Sequence, residues 1–300
     1  MALRRRSGAQ DGQATVEWVG LVLLVALLAV ALATAAGARL PGTAMARTIA
    51  ERIACAAGLG ATGCGGPPDP GLAAAYGSEL AALVRRQAPT LSYEEGMRAV
   101  PVDFRTCRED ACSMGDESGE VLASLAGEPV TLFVHVIDCR PGETTARDDC
   151  SGERAGRLYL QFWAYYPGSQ SLRSLPGDVG HHPDDWESLQ IRLGPGGREA
   201  RASSHHGYNH GGGAANWLSD AGVSERPAWG QWAGRYYVSG GSHAGHAWEP
   251  AGRLARRTPG ALVRLIPFEE IARRWDRARF AVTPPWLKRV YHDPEYTGTD

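Results

Sequence analysis

Carboxylate and imidazole side chains are concentrated between residues 177 and 187, where the chain reads GDVGHHPDDWE. This stretch runs into SLQIRL, whose apolar residues alternate as they do in a β-strand with one buried face. Counting back from Leu189 in steps of two places Glu187 and Asp185 on the same apolar face. Two carboxylates there repel each other and are poorly solvated, so they must protonate, meet an arginine or share a divalent cation. The pattern favours a cation site at one end of the strand.

Two residues upstream complete the predicted ligand set. His182 lies three residues before Asp185, and Asp178 lies four residues earlier again, so that a turn at Pro183 could fold both back. Carboxylates with one imidazole suit Ca²⁺, Mg²⁺ or Mn²⁺, whereas Zn²⁺ is less favoured without more histidines. The alternative is a salt-bridged or solvent-exposed strand end. The predicted metal ligands are Asp178, His182, Asp185 and Glu187, and the candidates for a further ligand or a supporting hydrogen bond are His181, His205 and His243.

The segment HPDDWE at 182–187 resembles the GHRHDWE motif of the necrosis-and-ethylene-inducing-peptide-like proteins. It is more similar still to their vacuolar-protein-sorting-associated relatives, in which H-x-x-DWE precedes a strand, a histidine-containing strand and V-x-x-GSHA. Here SSHHG follows at 203–207 and YVSGGSHA at 237–244, so the similarity covers about residues 130–250. The resemblance implies a β-sandwich that holds a divalent cation at its edge through Asp, His, Asp and Glu. It also implies lipid head groups as ligands, because some members recognise those of sphingolipids.

The motif carries over position by position. His182, Asp185 and Glu187 match it directly, and Asp178 matches more loosely because its spacing differs. Asp184 stands where the motif has its second histidine, which leaves the role of that histidine open here.

Catalysis is the second hypothesis for the same residues. In a metal-dependent hydrolase, cation-bound water would be the nucleophile and His181 or His243 the base. The sequence GGSHA at 240–244 approaches the nucleophile elbow G-x-S-x-G but lacks its last glycine, and WEP at 248–250 is poor material for the helix that must follow. The sequence therefore favours a binding protein over an enzyme.

An apolar run near the N-terminus predicts a membrane anchor. Residues 18–36 contain no charge and no proline, and 19 helical residues just span a hydrocarbon layer of about 30 Å. Three arginines at 4–6 precede the run, which favours a cytoplasmic N-terminus and places the residues after about 40 outside the cytoplasm. We expect a single-pass protein of the cell membrane.

The residues before the apolar run carry a second resemblance. The segment GQATVE, with Gly12, Gln13 and Glu17, resembles the prepilin-type signal of type IV pilins and of Tad-pilus minor pilins. The resemblance implies cleavage after Gly12 and a glutamate at the fifth position of the mature chain. It covers only the first 36 residues or so, and a plain signal anchor is the alternative.

Six cysteines follow the anchor, and an even number on the exported side indicates disulfides rather than a zinc site, since no CxxC pair exists. Six cysteines allow 15 pairings, of which neighbour pairing is the simplest. It would join Cys55 to Cys64, Cys107 to Cys112 and Cys139 to Cys150.

Composition and periodicity set the domain organisation. Short alternating segments separated by glycine and proline turns predict a mainly β protein, namely a single transmembrane helix followed by an extracytoplasmic β-sandwich with few short helices. Strands are expected at 131–138, 157–167 and 186–193, and one helix is expected over 74–88. We expect a leader at 1–15, a membrane helix at 16–37, a helical stalk with a Gly/Pro linker at 38–90, and a disulfide-containing sandwich at 91–300. The net charge of −2 lacks the positive excess that is typical of nucleic-acid-binding proteins. The expected partners are the membrane, and beyond it pilus subunits, glycans or lipid head groups.

Overall fold

A computed structural model describes residues 70–117, 119–142, 150–169, 181–204, 207–208, 229–247, 254–272, 275 and 277–296. They all belong to one compact unit, Gly65–Asp300. The predicted leader, membrane helix and signal-processing residues Gly12, Gln13 and Glu17 lie outside these residues, as do Cys55, Cys64, Asp178 and His205. None of the helices in the described part is long and apolar enough to cross a membrane.

The described chain is mainly β, as predicted, with two sheets and a few short helices. Its strands are β1 Thr90–Glu94, β2 Gly119–Glu120, β3 Thr131–Asp138, β4 Leu158–Ser169, β5 His182–Gly194, β6 Gly197–Ser204, β7 Gly207–Tyr208, β8 Gly230–Gln231, β9 Arg235–Val238, β10 Gly245–His246, β11 Leu254–Thr258 and β12 Arg264–Pro267. Its α-helices are α1 Pro70–Tyr76, α2 Ser78–Gln87, α3 Asp110–Ser113, α4 Glu269–Ala272 and α5 Arg289–His292.

The larger sheet has the order β12-β3-β4-β5-β6-β7, and β8 pairs with β6 beside this path. The long antiparallel pair β4–β5 keeps one register from Leu158↔Leu193 to Ser169↔His182. The smaller sheet has the order β10-β9-β1-β11-β2, in which β1 is parallel to β9 and antiparallel to β11. Buried residues of both sheets belong to one hydrophobic core. We call the larger sheet, β12-β3-β4-β5-β6-β7, the central sheet.

The central sheet is covered on both faces, which explains why β3 and β4 are buried along their whole length. One face of β5 meets the turn between β9 and β10 of the smaller sheet. The other face presents Trp186, which packs on Phe104 and on Phe280 and Trp286 of the C-terminal segment, residues 277–296. One face of β5 therefore packs against the β9–β10 turn, and the other packs against the C-terminal segment.

The helices before β1 differ from the single helix expected over 74–88. Gly77 separates α1 from α2 with a φ of 78°, a left-handed value that favours glycine. Leu72 and Val84 are fully buried, so both helices contribute to the core of the two-sheet unit.

Two of the expected disulfides are present. Cys107 is bonded to Cys112 and Cys139 to Cys150, as neighbour pairing predicted. The third predicted pair lies outside the described residues.

Candidate functional site

The site centres on the two carboxylates of β5. Asp185 and Glu187 are fully buried, on the same face of the strand as Leu189 and Ile191. Directly opposite on β4 are Tyr166, beside Asp185, and Ala164, beside Glu187. The alternation in the sequence was therefore a correct guide to where these two side chains lie.

The turn from β9 to β10 supplies the nearest partners. His243 Nδ1 lies 3.0 Å from Asp185 Oδ2, and the imidazole stacks on the Tyr166 ring with 4.3 Å between ring centroids. The backbone N–H of Gly245 donates to Glu187 Oε2 at 3.1 Å. His243 has a φ of 57°, a left-handed value that is uncommon outside glycine, so the turn holds the imidazole in a strained backbone position.

Two tyrosines complete this buried cluster. The hydroxyls of Tyr166 and Tyr236 are buried and make no hydrogen bond to any other described residue. Burial, with the negative charges of Glu187 and Asp185 adding to it, raises the pKa of Tyr236 well above its ordinary value. Burial is also the main cause of the raised pKa of Tyr166. Both hydroxyls therefore stay protonated and can offer an oxygen to a cation or a proton to an acceptor.

Asp184 belongs to the opposite face of β5. Its Oδ1 accepts hydrogen bonds from Arg108 Nη2 at 2.6 Å and from Tyr165 OH at 2.7 Å, and its Oδ2 accepts from the backbone N–H of Ala281 at 2.7 Å. Asp184 and Asp185 are adjacent in β5 and bury their side chains on different faces, as strand alternation requires. Asp184 therefore links β5 to the C-terminal segment through Ala281.

The histidines at the start of β5 stand apart from the buried pair. His182 is partly exposed at the first residue of the strand, with Nδ1 3.2 Å from the carbonyl oxygen of Pro183. His181 is exposed, 3.9 Å from an oxygen of Asp110. Among the described residues, no group of three or more His, Cys, Asp or Glu side chains could hold a metal ion. Asp178, the fourth predicted ligand, lies outside the described residues.

The cluster nevertheless has the donor chemistry of a hard-cation site. Carboxylates and neutral oxygens are what Ca²⁺, Mg²⁺ and Mn²⁺ prefer, and the buried Tyr hydroxyls add oxygen atoms beside the two carboxylates. The imidazole of His243 and the carboxylate of Asp185 are 1% and 0% exposed, so both groups are shielded from solvent.

The sequence did not reveal all of these residues. The GSHA motif marked His243, whereas Tyr166, Tyr236 and Gly245 carried no signal of their own. Ser242 of the near-elbow is followed by β10 rather than by a helix, so the nucleophile elbow is not formed.

Comparison of this chain with protein-family models, with curated proteins and with solved structures found no match.

Proposed function

We propose that this protein is a membrane-anchored, extracytoplasmic binding protein whose two sheets form a sandwich around a divalent-cation site. The observation that carries the proposal is the burial of Asp185 and Glu187 side by side on one strand face, with His243 hydrogen-bonded to the first. Within this site Asp185 and Glu187 would hold the ion, and the hydroxyls of Tyr166 and Tyr236 would stand beside it. The bound cation would fix the β9–β10 turn to the central sheet and so stabilise the presented surface.

The disulfides support the extracytoplasmic part of the proposal. Disulfides persist in oxidising compartments and are rare in the cytosol, and the described unit contains Cys107–Cys112 and Cys139–Cys150. The apolar run at 18–36 supplies the anchor, and the prepilin-like segment before it supports assembly with pilus subunits. Co-expression with a prepilin peptidase, followed by N-terminal sequencing, should yield a mature chain that begins at Gln13. A chain that keeps residues 1–12 would contradict the pilin-like part of the proposal.

Cation binding predicts a metal-dependent melting temperature. The full chain, purified in detergent and stripped with EDTA, should melt about 5–10 °C higher in Ca²⁺, Mn²⁺ or Mg²⁺ at about 100 times the dissociation constant, because ligand binding to the folded state adds about 2.7 kcal/mol. The double variant Asp185→Asn, Glu187→Gln should lose this increase. Equal melting temperatures with EDTA and with millimolar cation would contradict the proposal.

A matched control separates loss of the site from loss of stability. Asp138 is also a buried strand carboxylate, but Arg140 binds it through Nε at 2.8 Å and Nη2 at 2.5 Å. Asp138→Asn should lower the melting temperature and leave the cation-induced increase intact. Tyr236→Phe removes one hydroxyl, keeps the ring and should reduce the increase, which provides a second test if the double variant does not fold.

A further inference from the structure

The face of the central sheet opposite Asp185 holds the C-terminal segment by an unusual set of contacts. Residues 293–296 form a turn, in which the backbone N–H of Tyr296 donates to the carbonyl of Asp293 at 3.0 Å, and side chains of the sheet bind the backbone of this turn. Gln161 Nε2 donates to the carbonyl of Val290 at 2.9 Å, just before this stretch. Arg201 Nη2 donates to the carbonyls of Pro294 and, at 3.2 Å, Tyr296. The sheet therefore binds this turn through its peptide carbonyl groups.

The same face binds the carboxylate of Glu295. This carboxylate accepts hydrogen bonds from Tyr159 OH at 2.7 Å and from Trp229 Nε1 at 2.8 Å. Arg192 Nη1 lies 3.1 and 3.4 Å from its two oxygens, and Arg157 Nη1 lies 3.5 Å from the first. The Glu295 side chain is 12% exposed, so these contacts form with little competition from water.

A second carboxylate is bound two residues earlier. Arg154 holds Asp293 through Nε at 2.8 Å and Nη2 at 2.6 Å, the two-pronged geometry that suits a carboxylate. The segment is thus recognised as Asp-x-Glu, with one arginine-lined position for each acid.

The charge of the face explains why an acidic segment lies there. Arg154, Arg157, Arg192 and Arg201 all contact the segment, and Glu199 pairs with Arg192 at 2.6 Å. The guanidinium groups of Arg192 and Arg201 also lie 4.6 and 4.3 Å from the ring centroid of Trp229. Taking away Asp293 and Glu295 would leave four arginines against one glutamate among these groups.

A buried amide continues the face inward. Gln190 pairs in register with Gln161 on one side and Arg201 on the other. Its side-chain oxygen and nitrogen are fully buried and make no hydrogen bond to other described residues. Buried amides are normally hydrogen-bonded, so this position can accept a further polar group from an occupant of the face.

We propose that this face, defined by Tyr159, Gln161, Arg192, Arg201 and Trp229, is a recognition site for an acidic peptide that binds as a turn. The segment 293–296 is its tethered occupant. Such a tether corresponds to a millimolar effective concentration, so a partner peptide that carries Asp-x-Glu binds only when it displaces this segment. The site is independent of the proposed cation site, which lies on the other face of β5.

The test uses a fluorescent nonapeptide, RVYHDPEYT, with the sequence of residues 289–297. It is titrated by fluorescence anisotropy against the full chain in detergent, as the wild type and as Glu295→Ala, which loosens the tethered segment. We expect the variant to bind the peptide at least tenfold more tightly than the wild type. Equal binding to both proteins, or no binding to either, would overturn the proposal.

Three controls show whether the binding is specific. The peptide with Gln in place of Glu should bind Glu295→Ala at least tenfold more weakly, and so should the normal peptide when Arg192→Ala is added to the variant. Asp138→Ala, which breaks another buried carboxylate–arginine pair, should bind no better than the wild type. If Glu295→Ala does not fold, Glu295→Gln is used in its place with the same expected order. Insensitivity to the peptide's Glu-to-Gln change would contradict carboxylate recognition.

Discussion

At the scale of single residues, strand alternation explains which parts of the candidate site the sequence could predict. Period 2 placed Asp185 and Glu187 on the buried face of β5, because Leu189 and Ile191 fix that face. The contact with His243 spans 58 residues and depends on a left-handed backbone that no local pattern encodes. Strand alternation also could not show that the carboxylate of Asp184 would bind Arg108 instead of joining Asp185 and Glu187.

Gly245 is the residue for which the site leaves least freedom. A Cβ at this position would lie 2.1 Å from the hydroxyl oxygen and 2.2 Å from Cε2 of Tyr236. Gly245→Ala should therefore lower the free energy of unfolding by about 1–3 kcal/mol or more, as overpacking does. Urea denaturation of the full chain in detergent measures the change. Gly196→Ala, where a Cβ meets nothing within 4 Å, should change it by less than about 0.5 kcal/mol.

At the scale of elements, α1 and α4 meet β3 through one polar cluster. Glu269 Oε1 of α4 lies 2.6 Å from His135 Nδ1 of β3. The hydroxyl of Tyr76 in α1 lies within hydrogen-bond distance of the Glu269 carboxylate and, at 2.7 Å, of the carbonyl oxygen of Val134. The His135 ring stacks on Tyr291 of α5 with 3.8 Å between centroids. Four elements therefore depend on one glutamate and one histidine.

This cluster predicts an acid-sensitive stability. Burial alone would raise the pKa of Glu269, but the hydrogen bond and charge of His135 outweigh it and hold the pKa below the ordinary 4.5. Because the folded-state pKa is depressed, the carboxylate stabilises the fold above 4.5, and this contribution is lost as the pH falls through the lower folded-state value. Glu269→Gln should lower the free energy of unfolding at about pH 7, and its difference from the wild type should shrink towards about pH 3.

Urea unfolding of the wild type and the variant at several pH values measures this difference. An exposed pair provides the comparison, since Glu120 binds Arg257 where both side chains are largely in solvent. Glu120→Gln should change stability little at any pH, as surface pairs usually do. A difference between Glu269→Gln and the wild type that stays constant with pH would contradict the assignment.

At the scale of the whole molecule, the sequence predicted elements better than their arrangement. The strands at 131–138, 157–167 and 186–193 were expected within a few residues of their bounds in the structure, because each carries alternating or continuous apolar residues between turn signals. The sheet order was beyond reach, because β1 pairs with β9 and β11 and β12 pairs with β3 across long stretches of chain. Periodicity shows which residues face inward and carries no information about which strand lies alongside.

The two disulfides close loops of different length, and this difference predicts how much each contributes to the free energy of unfolding. Cys139 and Cys150 are 11 residues apart, and Cys107 and Cys112 are 5 apart. In the chain-entropy account, replacing the first pair by serines should cost about 3 kcal/mol and replacing the second about 2 kcal/mol. Chemical denaturation of the two double variants measures both values. The reverse order would show that effects other than loop closure decide their stability.

The position of β1 sets the timing of folding. This strand sits in the middle of the smaller sheet, between two neighbours that are made only when residues 235–258 have been synthesised. Strand pairings between residues so distant along the chain form slowly. The edges of β1 therefore stay unpaired, and prone to aggregation, during most of the synthesis of the chain. Cys107, Cys112, Cys139 and Cys150 are all made within that interval. These four cysteines therefore all precede, along the chain, the residues that complete the smaller sheet.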